Sequence, residues 1–101
     1  MKKYILTIGL NDKDTKRPIF FGRQKITNLL KDNIFVKGYT IYLTKGGYKH
    51  NNGTFVKENS LRVELVDIEY NVVKNLIYFI KQLLNQESIL LETININQSF
   101  M

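Results

Sequence analysis

The sequence predicts an α+β fold of the ferredoxin-like kind, βαββαβ, with a four-stranded antiparallel sheet and two helices on one face. Strand-forming runs flank the turn Asn51-Asn52-Gly53, where Asn-Gly supplies the positive φ angles that a hairpin needs. One helix-like segment precedes this hairpin and another follows it. Short strand-like runs lie near both ends of the 101-residue chain, a length typical of a single domain.

The elements follow from the spacing of their apolar residues. The first strand is apolar on both faces, which is typical of a central strand, and the third alternates between apolar and charged residues. Both helices carry an apolar stripe at helical spacing. We expect a bend or a bulge at Gly46-Gly47 in the second strand, because paired glycines weaken regular pairing. The predicted strands span residues 3–10, 39–50, 54–66 and 88–97, and the predicted helices span residues 21–33 and 70–84.

With both helices on one face, the other face of the sheet is left open. Alternation along the strands predicts that this face is partly apolar, and an open face of this kind most often pairs with another copy. We therefore predict a homo-oligomer, a dimer or a higher assembly. The residues expected on this face are Ile5, Thr7, Thr40, Tyr42, Thr44, Arg62 and Glu64.

Composition excludes several classes of chemistry. The chain has no cysteine, and His50 is the only histidine, so thiolate catalysis and cysteine-ligated zinc are ruled out. We predict no metal and no cofactor. No apolar run approaches the roughly 20 residues that span a bilayer, and the N-terminus has no export-signal pattern. The prediction is a protein of the cytoplasm of whatever cell makes it, with no membrane partner.

The net charge of +6 is unevenly distributed. Residues 1–50 carry eleven Lys and Arg against three Asp and Glu, and residues 51–101 carry four against six. Such asymmetry favours an anionic partner, although a solvated lysine-rich surface would show the same pattern.

Several short motifs resemble a bacterial family of small domains of unknown function, over roughly residues 35–100. The resemblance implies the same fold. The chain departs from many members in lacking an export signal, and its opening Gly9-Leu10-Asn11-Asp12-Lys13-Asp14-Thr15-Lys16 is similar to cytoplasmic members from phages and mobile elements, which implies the host-cell cytoplasm if a phage encodes it. It implies no reaction and no catalytic residue. The motifs are Gly38-x-Thr40, Gly47-Tyr48, Gly53, Val56-Lys57-Glu58-x-Ser60, Gln86-Glu87-Ser88-Ile89-Leu90 and Ser99-Phe100.

Two polar segments are candidate binding elements. The loop after the first strand offers cationic and hydrogen-bonding groups for phosphate or ribose, but it lacks the pattern of a P-loop. The hairpin combines glycine, lysine and aromatic residues, which suits stacking on a base. Alternatively, the loop is a solvated connector and the hairpin is an edge ribbon. The predicted ligand-binding residues are Asn11, Lys13, Thr15, Lys16, Arg17, Tyr42, Tyr48, His50 and Arg62.

No nucleophile, base and oxyanion site occur together, and structural roles are expected for Glu58, Ser60 and the segment Gln86-Glu87-Ser88. We therefore predict a non-enzymatic phage-type protein that sequesters a small anionic, nucleotide-derived immune signal and so blunts a bacterial defence system. One alternative is an inhibitor that binds nucleic acid or protein through the basic half. Another is a small dimeric enzyme centred on His50 or Tyr48.

Overall fold

The computed structural model describes residues 1–49 and 51–101, with every side chain among them except that of Tyr48. The elements follow the order βαββαβ, which confirms the predicted fold class. The bounds agree with the prediction to within two residues. The elements are β1 (Lys2–Gly9), α1 (Gly22–Asp32), β2 (Gly38–Lys49), β3 (Phe55–Val66), α2 (Tyr70–Leu83) and β4 (Leu90–Asn95).

The four strands form one antiparallel sheet in the order β2-β3-β1-β4. The strand β1 lies between β3 and β4, as its apolar residues on both faces predicted. Leu6 and Ile8 are fully buried in the main core, while Ile5, which points to the other face, is 5% exposed. We call that other face, opposite the helices, the open face.

The core lies between the sheet and the helices. From α1 it receives Ile26 and Leu30, and from α2 Val73, Leu76 and Ile80. Spacings of three and four residues place these side chains on one stripe of each helix, as predicted. The sheet contributes the alternate residues of β1 and β3. The helices thus cover one face and leave the other available for a site.

Pairing of β2 with β3 continues well beyond the end of β1. The last β1–β3 pair is Gly9 with Ser60, whereas β2 and β3 pair as far as Lys49 and Phe55. The extra length forms a two-stranded projection, which we call the hairpin arm (residues 45–49 and 55–59). At its tip Gly53 has a φ of 89°, consistent with the predicted turn.

The predicted bulge in the second strand is wrong. Gly46 pairs with Glu58 and Gly47 with Lys57 in unbroken register. The ring of Phe55 lies against Gly47, where an added Cβ would be 2.7 Å from the ring Cζ. A neighbouring side chain therefore fills the space that glycine leaves, and regular pairing is kept.

Candidate functional site

A cavity of about 960 Å³ lies on the open face, at the end of the sheet from which the hairpin arm projects. Its floor is formed by β1 and β3, one wall by the arm, and the other wall by the loop that follows β1. We call it the open-face cavity. Its lining residues include Thr7, Gly9, Asn11, Asp12, Lys13, Lys16, Gly46, Gly47, Val56, Glu58, Ser60, Gln86, Glu87, Ser88 and Leu90.

Two side-chain oxygen atoms converge over Gly9 in the floor of this cavity. A methyl group built on Gly9 would lie 2.6 Å from Oε1 of Glu58 and 2.8 Å from Oε1 of Gln86. The carboxylate and the carboxamide can approach the backbone this closely only because Gly9 has no side chain. Glycine is therefore required here for contact rather than for backbone conformation.

The carboxamide of Gln86 is oriented by its own donor group. Its Nε2 donates to the carbonyl oxygen of Asn11 at 2.7 Å and to that of Leu84 at 3.1 Å. The oxygen is therefore the atom that faces Gly9 and Glu58. Within the described part of the chain, neither converging oxygen receives a hydrogen bond. Two acceptors without donors, in an open cavity, favour a ligand that brings donors of its own.

The loop wall of the cavity is attached to the end of α2. Asn85 adopts the left-handed conformation, with a φ of 48°. Its N–H donates to the carbonyl of Gln82, and that of Gln86 donates to the carbonyl of Lys81, which is the bonding pattern of a Schellman motif. Because asparagine tolerates this conformation, the motif ends the helix and directs a polar side chain towards the loop.

The side chain of Asn85 joins two carboxylates of the loop. Its Nδ2 donates to Oδ2 of Asp12 at 3.0 Å and to Oδ2 of Asp14 at 2.9 Å. The backbone N–H of Lys13 donates to the carbonyl of Asn85 at 3.1 Å. Oδ1 of Asp12 also accepts the N–H groups of Asp14 and Thr15, at 2.8 and 3.0 Å. The loop is thereby fixed as a wall.

These bonds make the loop sensitive to acid. The pKa of Asp12 lies below its ordinary value because the N–H of Thr15, the amide of Asn85 and the N–H of Asp14 favour the carboxylate. A lowered folded-state pKa stabilises the protein fully above the unfolded-state pKa of about 3.9, and this contribution is lost as the pH falls below that value. Asn85→Gly removes the amide and keeps the left-handed backbone, so the pKa of Asp12 should rise in an NMR carboxyl titration. The matched control is Asn75→Gly on the exposed side of α2, and an unchanged Asp12 pKa in Asn85→Gly would contradict this role.

The rest of the open face is covered by charged side chains. Lys3 forms an ion pair with Glu64, and this contact is the main reason that the pKa of Glu64 is lowered. Arg62 lies 3.7 Å from Glu92 and 6.0 Å from the ring centre of Tyr42. These side chains shield Ile5, and this part of the face is more charged than the sequence analysis expected.

The structure brings only some of the predicted site residues together. Asn11, Lys13 and Lys16 line the open-face cavity. Thr15 and Arg17 do not line it: Oγ1 of Thr15 accepts the N–H of Arg17 at 3.2 Å within the loop.

Four of the predicted residues lie elsewhere or are not described. Tyr42 and Arg62 lie on the open face, outside the residues that line the cavity. Tyr48 pairs with Val56 through its backbone, and its side chain is not described. His50 lies outside the described residues.

The cavity is also lined by five residues for which the sequence predicted only structural roles. Glu58, Ser60, Gln86, Glu87 and Ser88 all line the cavity. Their signal was present, because they belong to the two motif segments of the family resemblance. What the sequence did not show is that β3 and the turn before β4 meet over Gly9.

Two kinds of feature are absent from the described residues. No group of three or more His, Asp or Glu there could hold a metal ion. No described helix is both long enough and apolar enough to cross a bilayer.

The fold and the cavity define a small ferredoxin-like α+β protein with a polar cavity on the open face of its sheet. No protein-family model matches the chain, and no curated protein matches it significantly in sequence. Several solved structures share the fold. A phage SAM lyase in complex with S-methyl-5'-thioadenosine has a TM-score of 0.69 and 20% identity, over 92% of this chain and 79% of the lyase.

Three further solved structures share the fold. The apo state of a phage SAM lyase has a TM-score of 0.65 and 16% identity, over 92% of this chain and 78% of the lyase. A variant of CutA1 from Pyrococcus horikoshii OT3 has a TM-score of 0.64 and 13% identity, over 99% and 87%. A DUF3240 family protein from Shewanella baltica OS155 has a TM-score of 0.57 and 10% identity, over 99% and 94%.

These comparisons contradict the prediction that the chain is not an enzyme. Two of the similar structures are of a lyase, which performs chemistry on a fold of this size. The lack of a combined nucleophile, base and oxyanion site in the sequence says nothing about a reaction that needs none of them.

Proposed function

We propose that this chain is an enzyme that binds S-adenosylmethionine, or a closely related nucleoside sulfonium, in the open-face cavity and cleaves it. The observation that carries the proposal is the pair of acceptor oxygens of Glu58 and Gln86 that converge over Gly9. The shared fold of a phage SAM lyase with a bound thioadenosine supports the same ligand class.

The chemistry of the cavity agrees with this ligand. S-adenosylmethionine carries a sulfonium, an ammonium and two ribose hydroxyls, and the last two groups are donors. Asp12, Glu58 and Glu87 contribute three carboxylates to the lining, against the two lysines Lys13 and Lys16. The lining therefore suits a ligand with net positive charge and hydrogen-bond donors better than it suits a phosphate.

The proposed reaction breaks the bond between sulfur and Cγ of the methionine part. The electron pair stays with sulfur, which becomes the neutral thioether of S-methyl-5'-thioadenosine. Because a lyase adds no water, a carboxylate oxygen of the same methionine part forms a bond to Cγ as the sulfur leaves, and the amino acid fragment closes to a lactone with no proton transferred. Glu58 and Gln86 bind the donor groups and so fix the substrate for this step.

Several expectations from the sequence are carried into this proposal. Binding of a small nucleoside-derived ligand is kept, together with a phage-type role against the host and action in the host cytoplasm. Sequestration without chemistry is replaced by cleavage, and in this cavity the anionic ligand is replaced by a cation. Assembly into a homo-oligomer stays a prediction.

The test is incubation of the purified protein with S-adenosylmethionine, followed by chromatography and mass spectrometry. We expect S-methyl-5'-thioadenosine in amounts far above that of the protein. Glu58→Gln removes a charge-assisted hydrogen bond worth about 1.5–3 kcal/mol, so kcat/KM should fall about tenfold to a hundredfold.

The matched control is Glu69→Gln, because Glu69 precedes α2 at the opposite end of the sheet. It removes the same charge and should leave kcat/KM unchanged. Recovery of intact S-adenosylmethionine after prolonged incubation would contradict the proposed reaction. Equal losses in both variants would show that Glu58 has no special role.

A further inference from the structure

A second cavity, of about 680 Å³, lies on the opposite side of the hairpin arm from the open-face cavity. Alternation along the paired strands places Lys45, Gly47, Phe55, Lys57 and Asn59 on this side. The loop after β1 closes it with Asn11, Lys16 and Pro18. We call it the arm cavity, and the proposed function does not use it.

Its charge is the reverse of that in the open-face cavity. Three lysines, Lys16, Lys45 and Lys57, line it. Among the described residues of its lining, the only carboxylate is that of Glu58, whose Oε1 lies over Gly9 on the other side of the arm. Among the described residues none of these lysines forms an ion pair, since the ion pairs present involve Lys3, Lys37 and Arg62.

An aromatic surface lies among these lysines. The ring of Phe55 contacts Gly47 across the arm, with its Cζ and Cε1 at 2.7 and 2.9 Å from the position of an added Cβ. The glycine lets the ring lie against the strand, and Phe55 nevertheless remains 59% exposed. A large apolar side chain that packs against the backbone of the paired strand is a preformed stacking surface, because it has little side-chain entropy left to lose.

We propose that the arm cavity binds a nucleotide, with its base on Phe55 and its phosphates on Lys16, Lys45 and Lys57. A planar base suits an exposed phenyl ring, and three lysines around that ring suit the charge of a phosphate chain. The shared chemistry of base and phosphate occurs both in a free nucleoside triphosphate and in a single-stranded nucleic acid. The inference stands independently of the proposed cleavage reaction.

The first experiment compares the binding of three probes by NMR at low salt: ATP, adenosine and inorganic tripolyphosphate. Because the cavity combines a ring with cations, ATP should bind at least tenfold more tightly than either of the other two. The amide signals of Gly47, Phe55 and Lys57 should move on titration. Signal changes confined to Thr7, Gly9 and Ser60, in the floor of the open-face cavity, would overturn the proposal.

Variants separate the ring from the charges. Phe55→Ala should weaken ATP binding about fivefold to a hundredfold, and Phe55→Tyr should preserve it, which distinguishes lost stacking from a disturbed hairpin. The double variant Lys45→Gln/Lys57→Gln should weaken it at least tenfold. The control Lys25→Gln/Lys31→Gln removes two exposed lysines of α1 and should have no effect. Equal weakening in both double variants would reduce the site to non-specific charge and overturn the proposal.

The second experiment uses a ten-residue oligothymidylate to identify the source of the nucleotide. Tighter binding of the oligonucleotide than of ATP would assign the site to a single strand. In that case removing Lys45 and Lys57 should reduce the slope of log K against log salt by about 1.4. Tighter binding of ATP would assign it to a free nucleotide. Failure of both probes to bind at millimolar concentration would overturn the inference and leave the cleavage reaction untouched.

Discussion

Gly9→Ala is expected to lower kcat/KM for S-adenosylmethionine by about a hundredfold while the protein stays folded. The added Cβ would lie 2.6 Å from Oε1 of Glu58 and 2.8 Å from Oε1 of Gln86, and both oxygens must move. Both belong to flexible side chains, so the backbone need not shift. The substrate then loses one charged and one neutral hydrogen bond, worth together about 2–4 kcal/mol. The measurement is steady-state kinetics beside urea unfolding.

The matched control is Gly38→Ala at the other end of the sheet. Its Cβ would meet only Cγ2 of Val66, at 3.0 Å. It should affect stability slightly and kinetics not at all. Normal kinetics in Gly9→Ala would show that the oxygens over Gly9 do not bind the substrate. Global unfolding of that variant would instead show that the contact over Gly9 stabilises the fold.

Leu76→Ala is expected to lower the free energy of unfolding by about 2–5 kcal/mol. Leu76 is 1% exposed and lies in the middle of the α2 stripe that packs on the sheet. Removing three carbon atoms there leaves a cavity between well-packed layers. In a domain of this size, a loss of that order is a large part of the total stability.

The control for Leu76→Ala is Phe79→Ala on the same helix. Phe79 is 59% exposed, so its truncation should change the free energy of unfolding by less than about 0.5 kcal/mol. Urea unfolding of both variants compares the buried and exposed sides of α2 directly. Similar costs for the two would mean that the helix is rotated relative to the sheet.

The two cavities share the base of the hairpin arm. Asn11, Lys16, Gly46, Gly47 and Glu58 line both of them. A two-stranded ribbon has two faces, and alternation gives Glu58 to one and Lys57 to the other. The opposite charges of the neighbouring residues Lys57 and Glu58 therefore lie on opposite faces of the arm.

The lysines of the basic half, residues 1–50, lie in several different surroundings. Lys13 lies beside carboxylates in the loop, and Lys3 is paired with Glu64. Lys16 and Lys45 meet Lys57, from the less basic half, around Phe55. The net positive charge therefore follows from the sequence, whereas the location of the positive surface depends on the contacts of individual residues.

The sequence by itself determined the order of the elements and the residues that form the core. Apolar spacing along α1, α2 and β3 depends only on the local period of helix and strand, and it needs no tertiary information. The same holds for the turn at Gly53, where glycine adopts a positive φ at no steric cost. These properties are written into neighbouring residues.

The tertiary structure alone decided where the candidate site lies. Gly9, Glu58 and Gln86 are far apart in sequence, and each has an ordinary structural interpretation when taken alone. They meet because β1 pairs with β3, and because the Schellman motif at Asn85 turns the chain back over the end of β1. Convergence of this kind depends on strand register and on the way a helix ends, and no local pattern in a single sequence records either.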